Sequence, residues 1–315
     1  MKIVVLDGYT LSDIGWDMLK NFGDIKVYDR TQKEDIIRRI GYSDIVFTNK
    51  CPITKSIMQK CPNIKYIGIL ATGYNIVDIK EAKERGIVVC NVPTYGTDIV
   101  AQTTMALLLE ICHHIGEHNR SVKEGKWAKN PDFSYWDYPI LELTNKTMGI
   151  IGFGKIGQAI AKRAVPFGIN VLAYDKYESD EAKEIAKYVS LDELLEKSDI
   201  ISTATLLTEE TKGIINNNTI NKMKDGVIII NNARGPLIEE EDLKQALNSG
   251  KVSYAAVDVV SVEPILASNP LLSAKNIIIT PHISWASKDA RTRIIKTCAD
   301  NLQAFLNNNP INVVN

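Results

Sequence analysis

TMGIIGFGKIGQAIAKRAVPFGINVLAYD, residues 147–175, reads as strand, glycine turn, helix and strand in immediate succession. Met148–Ile151 is a short apolar run of strand type, and Gly152-x-Gly154-x-x-Gly157 follows it directly. Ile156, Ile160, Ala161 and Ala164 then recur at helical spacing until Pro166 and Gly168 stop the helix. A second apolar run, Asn170–Tyr174, delivers Asp175 at its carboxyl end. Such a unit suits a dinucleotide. The first glycine makes the turn, the second lets backbone approach a pyrophosphate, and the third lets helix and strand pack closely. The helix N-terminus, with Lys155 and Ile156, faces the phosphate charge. Asp175 stands 18 residues after Gly157 (175 − 157), where a carboxylate accepts hydrogen bonds from the adenosine ribose hydroxyls. A 2′-phosphate would meet a like charge there, so the motif favours NAD over NADP, tempered by the adjacent Lys176.

Outward from this unit the chain alternates between strand and helix. Upstream, Lys2–Leu6, Ile25–Asp29, Asp44–Asn49, Lys65–Leu70 and Ile87–Val92 read as buried strands. Leu11–Phe22, Lys33–Gly41 and Asp78–Arg85 read as helices between them. From Gly149 onward the pattern predicts six strands: Gly149–Phe153, Asn170–Tyr174, Asp199–Thr205, Val227–Asn232, Ser253–Val259 and Asn276–Thr280. The fold class is therefore α/β, with doubly wound parallel sheets. Between the two sets lies a long helix, Asp98–Gly116, apolar on nearly every face and expected to be buried between domains or subunits. Lys129–Leu141 gathers Phe133, Tyr135, Trp136 and Tyr138 into six positions. Satellite core is the plainer reading of that cluster, and a subunit contact with one aromatic reaching a substrate site is the sharper one.

Composition bounds the rest. The 315 residues suit two domains, and 45% hydrophobic with 24% charged is ordinary for a globular chain. A formal charge of −1 gives no electrostatic case for nucleic acid or an anionic membrane. MKIVVLDGYT reads as a first strand rather than a signal peptide, and no apolar run approaches the roughly 18 residues of a spanning helix. Five scattered cysteines without C-x-x-C spacing point to a reduced, cytoplasmic protein with no structural metal.

Three residues just past predicted strands are candidates for chemistry: Arg234 in NNARG, Glu263 in SVEP, and His282 in TPHISW. In open parallel sheets ligands bind outside the carboxyl ends of the strands, so the three can converge on one end of a bound dinucleotide. Reducing a 2-keto acid needs a proton donor for the carbonyl oxygen, which histidine provides. A carboxylate on the second ring nitrogen fixes the tautomer and stabilises the protonated ring. A guanidinium grips the substrate carboxylate and polarises the carbonyl. Taken singly, each is equally a surface arginine, a turn glutamate or a loop histidine, and their common placement carries the assignment. His114 and His118 lie at i, i+4, but with no third ligand in view no metal is expected.

These motifs resemble the D-isomer-specific 2-hydroxyacid dehydrogenases, and within them the glycerate dehydrogenase/hydroxypyruvate reductase branch, over essentially the whole chain. GFGKIGQAIAKRA…LAYD matches that family's cofactor signature, NNARGPLIEEEDL its arginine signature, and DVVSVEP…NPLL…NIIITPHISWAS its acid and histidine signatures. ATGYNIVD (71–78) is similar to its substrate loop. The resemblance implies that Arg234 binds substrate, that His282 is the acid/base with Glu263 as its partner, and that Thr72, Gly73 and Tyr74 hold the substrate carboxylate. It places Thr104, Thr205, Leu206, Ala233, Asp258 and His282 along the cofactor, with Ala233 and Asp258 near the nicotinamide amide. It implies a Rossmann cofactor domain (99–285) inserted in a flavodoxin-like substrate domain (1–98 and 286–315), and a homodimer built by the cofactor domains with the long helix and aromatic loop exchanged. One departure is visible. Where the family commonly has His-x-Pro-Leu-Thr, this chain has Ala204-Thr205-Leu206-Leu207-Thr208, leaving Leu206 to cover an adenine face. The substrate loop carries no Lys or Arg and no C-terminal regulatory extension is expected, both of which weigh against 3-phosphoglycerate, although the fold can bring Lys50 within reach. Reduction of hydroxypyruvate or glyoxylate is the leading expectation. A D-lactate or branched-chain 2-hydroxyacid dehydrogenase is the alternative within the class, and an NADH-sensing corepressor-like binding protein the alternative outside it.

Overall fold

The computed structural model describes residues 1–315. The chain divides into two compact units, Met1–Gly96 with Ala286–Asn315, and Thr97–Trp285. Each is built on a wholly parallel sheet, as the alternating pattern predicts.

The first unit has five strands, β1 (Lys2–Val5), β2 (Asp24–Val27), β3 (Ile45–Thr48), β4 (Tyr66–Ile69) and β5 (Val88–Cys90), in the order β2-β1-β3-β4-β5. That is the flavodoxin-like order, with its switch between β1 and β3. Ile-rich β3 and β4 are buried along their whole length, as strands covered on both faces must be. The C-terminal Lys288–Leu306 helix belongs to this unit, and the tail closes on β5 by a bridge between Cys90 and Val313. Asn315 completes the edge, its side-chain amide donating to the Ile87 carbonyl and its side-chain oxygen accepting from the Val89 amide. The helix expected over Leu11–Phe22 is instead a 3-10 turn, Tyr9–Leu11, and a single α-turn, Asp17–Lys20. Gly15 separates them at φ +83°, outside any helix.

The second unit continues with β6 (Thr147–Ile151), β7 (Asn170–Tyr174), β8 (Lys187–Tyr188), β9 (Ile200–Thr203), β10 (Val227–Asn231), β11 (Val252–Val257) and β12 (Ile277–Ile279). Their order is β12-β11-β10-β9-β6-β7-β8, seven strands where the pattern predicts six. The additional one, β8, is two residues long, too short for any hydrophobic period to reveal. Apolar layers lie on both faces of the sheet, one around Met148, Ile150, Ile160 and Ile230, the other around Ile151, Leu195, Ile229 and Leu243. The long helix runs Thr97–His113 and buries Ala101, Met105, Leu107, Leu108, Ile111 and Cys112 in the first of these layers. Its core contacts thus come from its own unit. It stops short of Gly116 because His114 turns left-handed (φ 48°), and a second helix, Ile115–Lys123, sets off at 52°. No single helix is long and apolar enough to cross a membrane. The aromatic loop is not satellite core. Tyr138 stacks on His114 at 4.4 Å and the Tyr135 hydroxyl bonds Ser121 at 2.8 Å, but Phe133 is 90% exposed and Trp136 68%.

Candidate active site

The dinucleotide unit forms where β6 ends. Gly152 sits at φ +93°, and a Cβ there would lie 2.5 Å from the Thr205 amide, so both backbone and space demand glycine. A Cβ on Gly157 would collide with the Gly152 carbonyl, which is how closely the Lys155–Ala164 helix approaches the turn. Gly154 differs. Nothing in the protein lies within 4 Å of its Cβ position, and as N-cap it leaves the first helical amides without a side-chain partner. Open space beside uncapped amides is what a pyrophosphate requires. Register pairs Ile151 with Tyr174, which brings Asp175 beside the turn. Its carboxylate accepts from the Phe153 amide at 2.6 Å and the Tyr177 amide at 3.1 Å, fixing its orientation and leaving lone pairs for two hydroxyls. These residues therefore fit the NAD that the sequence implies. Around them, Lys155 and Ile156 open the helix, and Thr205 runs against Gly152. Leu206 is 80% exposed, free to lie against a flat ring. Thr104 is buried, with its hydroxyl donating to the Val100 carbonyl.

Arg234, Glu263 and His282 follow β10, β11 and β12, three neighbours in the sheet, at the same carboxyl edge. His282 Nδ1 lies 2.7 Å from Glu263 Oε2, and both side chains are about one-third exposed. Glu263 is anchored in turn, since its other oxygen accepts from the Val260 amide at 3.3 Å. Arg234 is exposed, its guanidinium donating only to the Ala233 carbonyl at 2.7 Å, so most of its donors face outward.

Polar contacts between the loops hold this constellation. His282 has a left-handed backbone (φ 55°), which a non-glycine residue adopts only when its surroundings impose it. Asp258 imposes it. One carboxylate oxygen accepts from the Thr280 hydroxyl (2.6 Å) and the Ile283 amide (2.8 Å), the other from the Ser284 amide (2.8 Å), while the Asp258 carbonyl accepts from the His282 amide (2.8 Å). At 1% exposure this carboxylate acts first as a clamp on the histidine loop. The Asn231 side chain performs the same service for the arginine turn. It accepts from Thr203 Oγ1 (2.7 Å) and the Ala233 amide (3.0 Å), and donates to the Arg234 carbonyl (3.0 Å). Asn232 Nδ2 donates to Ser284 Oγ at 2.8 Å, tying arginine loop to histidine loop. Glu240 accepts from the Ser261 amide and hydroxyl, both at 2.7 Å, and from Asn269 at 3.0 Å, bracing the loop of Glu263. Gly235 packs so tightly on the Val260 backbone that any Cβ would collide with it. The motifs named the three reactive groups and missed Asn231, Thr203, Asn232, Ser284 and Glu240. These bonds span up to 52 positions in sequence, and no local signal reports them.

In the first unit, taken by itself, Thr72 Oγ1 donates to the Val92 carbonyl (2.8 Å), and the Thr72 carbonyl accepts from Asn91 (2.7 Å). These bonds fix the start of the loop that continues through Gly73 to Tyr74, which is 41% exposed. No cluster of three or more His, Cys, Asp or Glu side chains is arranged to hold a metal.

Residues 105–284 match the family model for the NAD binding domain of D-isomer specific 2-hydroxyacid dehydrogenases. The chain is 57% identical to a hydroxypyruvate reductase of Blautia hydrogenotrophica over 100% of both chains. It is 38% identical to a glycerate dehydrogenase of Methylorubrum extorquens, over 99% of this chain and 98% of that one. Among solved structures, D-lactate dehydrogenase from Aquifex aeolicus complexed with NAD and lactic acid aligns at TM-score 0.83 and 28% identity, covering 98% of this chain and 96% of that one. Family model, full-length relatives and fold agree: the chain is an NAD-dependent enzyme and belongs to the D-isomer-specific 2-hydroxyacid dehydrogenases.

Proposed function

We propose that the protein reduces hydroxypyruvate to D-glycerate with NADH, taking glyoxylate and pyruvate as lesser substrates. The observation that carries the chemistry is the 2.7 Å contact between His282 Nδ1 and Glu263, on a loop edge shared with an outward-facing Arg234. Glu263 engages Nδ1, so the proton delivered to the substrate carbonyl oxygen sits on Nε2. Arg234 grips the substrate carboxylate and polarises the carbonyl, and the amides of Thr72, Gly73 and Tyr74 are assigned to the same carboxylate. Bound NADH supplies the hydride. Gly152, Gly154, Lys155, Ile156 and Gly157 hold its pyrophosphate, Asp175 its adenosine ribose, Thr205 and Leu206 its adenine side, and Thr104, Ala233, Asp258 and His282 its nicotinamide side.

The choice of hydroxypyruvate rests on the 57% identical relative of that name, and on a Leu70–Val77 loop without the Lys or Arg that a phosphorylated substrate would need. A homodimer formed by the second unit is supported by Phe133 and Trp136, apolar side chains exposed in a loop otherwise fixed to the Ile115–Lys123 helix. Five free cysteines suit the reducing cytoplasm.

The test is a panel of initial rates with hydroxypyruvate, glyoxylate, pyruvate and 2-ketoisocaproate, in the wild type and in Arg234→Ala. Hydroxypyruvate should give the highest kcat/KM, and the substitution should lower it by at least about 10³-fold, since grip and polarisation vanish together. A bulkier keto acid in first place would overturn the substrate, and near-normal turnover in Arg234→Ala would overturn the role of the arginine.

A further inference from the structure

Cofactor preference involves more than Asp175. Lys176 follows it directly at the end of β7, and its ammonium lies 3.0 and 3.2 Å from the two carboxylate oxygens of Glu210. Glu210 stands in the loop after β9. Strand order is β9-β6-β7, so this ion pair joins the two loops that flank the glycine turn, on the side where the adenosine ribose belongs. Both side chains are largely exposed, at 63% and 74%, and Glu210 holds the ammonium above its ordinary range.

An exposed pair of this kind contributes little to stability, so its interest is electrostatic. NADP differs from NAD by a 2′-phosphate that carries about −1.5 to −2 charges near neutral pH. Sites that accept it supply a cation beside the ribose. Lys176 occupies such a position, yet its charge is matched by Glu210. The local sum is −1 (Asp175), +1 (Lys176) and −1 (Glu210), or −1 in all.

We propose that Glu210 is a cofactor-specificity residue, which neutralises Lys176 and so leaves Asp175 to exclude a 2′-phosphate. The proposal rests on Asp175 reading the ribose. Removing the Glu210 charge brings the local sum to zero and releases Lys176 toward the phosphate. Removing Lys176 as well restores −1, and removing Lys176 alone gives −2.

The experiment measures NADH and NADPH dissociation constants by cofactor fluorescence, without keto acid, in the wild type, Glu210→Gln, Lys176→Met and the double variant. Glu210→Gln should tighten NADPH relative to NADH by about tenfold at low salt, the size of one unit charge acting on a doubly charged group about 5 Å away in water. The gain should shrink above about 0.5 M salt, where screening reaches only a few ångströms. The double variant should return to the wild-type ratio, and Lys176→Met should fall below it. A ratio in Glu210→Gln within twofold of wild type overturns the proposal, as does a ratio in the double variant that stays well above wild type. Asp175→Ala separates this failure from a broader one. If it leaves NADH affinity and the NADPH ratio unchanged, the ribose assignment itself is wrong and the proposal falls with it.

Discussion

Asp258 shows how a buried residue governs an exposed one. Three donors converge on its carboxylate and a fourth on its carbonyl, and together they impose the left-handed turn that points His282 at Glu263. An amide of the same shape cannot satisfy three donors with acceptors alone, because its NH2 would face one of them. Asp258→Asn should therefore leave an opposed pair of donors in a nearly dry site. The expected cost is about 1–3 kcal/mol, seen as a lowered Tm. Turnover should fall further, by about 10- to 100-fold, as supporting partners of reactive histidines typically do. Because the damage is chiefly to the aim of the imidazole, the loss should appear mainly in kcat, with a smaller weakening of NADH binding from the nicotinamide side. A variant that melted early yet turned over normally would confine Asp258 to a packing role.

At the scale of elements, what could be read in advance followed from how local its cause is. The three glycines were legible because each answers a requirement within a few residues: a left-handed turn, an open cap, a close helix. The C-terminal end of the Thr97–His113 helix was not legible. Apolar spacing runs on past it, and the break at His114 goes with contacts from Tyr138 (4.4 Å) and Tyr254 (5.2 Å), the latter 140 positions away (254 − 114). The two outer glycines are fixed by the protein itself, whereas Gly154 meets no protein atom, and this separates two substitutions. Gly154→Ala should fold with a Tm within a few degrees of wild type, its φ of −71° suiting any residue, while binding NADH at least about tenfold more weakly, because a methyl group enters the space the pyrophosphate needs. Gly157→Ala should lose both stability and cofactor, since its methyl group drives the helix off the turn. Thermal melts and NADH titrations of the two variants check this, and normal NADH affinity in Gly154→Ala would remove the pyrophosphate from that position.

For the whole molecule, the sequence periods foretold two parallel sheets, but not how the tail rejoins the first of them. The bonds from Asn315 to Ile87 and Val89 span more than 220 positions, and only family resemblance hinted at that return. The cysteines offer a way to watch the two units separately. Cys51, Cys61, Cys90 and Cys298 lie in the first unit and Cys112 in the second, and all five are buried. Burial pushes the thiols up, to about 12 for Cys51 and about 11 for Cys90 and Cys112. The sign of the effect is protective: a thiol whose proton is harder to remove has little reactive thiolate near neutral pH, and raising the pH to about 9 should still leave it inert while the protein is folded. A thiol-specific disulfide reagent should therefore label none of the five promptly in native protein, and all five in denaturant. At intermediate denaturant, labelling of Cys112, followed by mass spectrometry, measures opening of the second unit. Saturating NADH binds the folded form and should slow it, by about 100-fold at a hundred times the dissociation constant. Cys112 labelling that ignores NADH while NADH is bound would mean that this cysteine is exposed by a fluctuation which leaves the cofactor site intact, and a single fast-reacting thiol in native protein would contradict the burial from which the prediction starts.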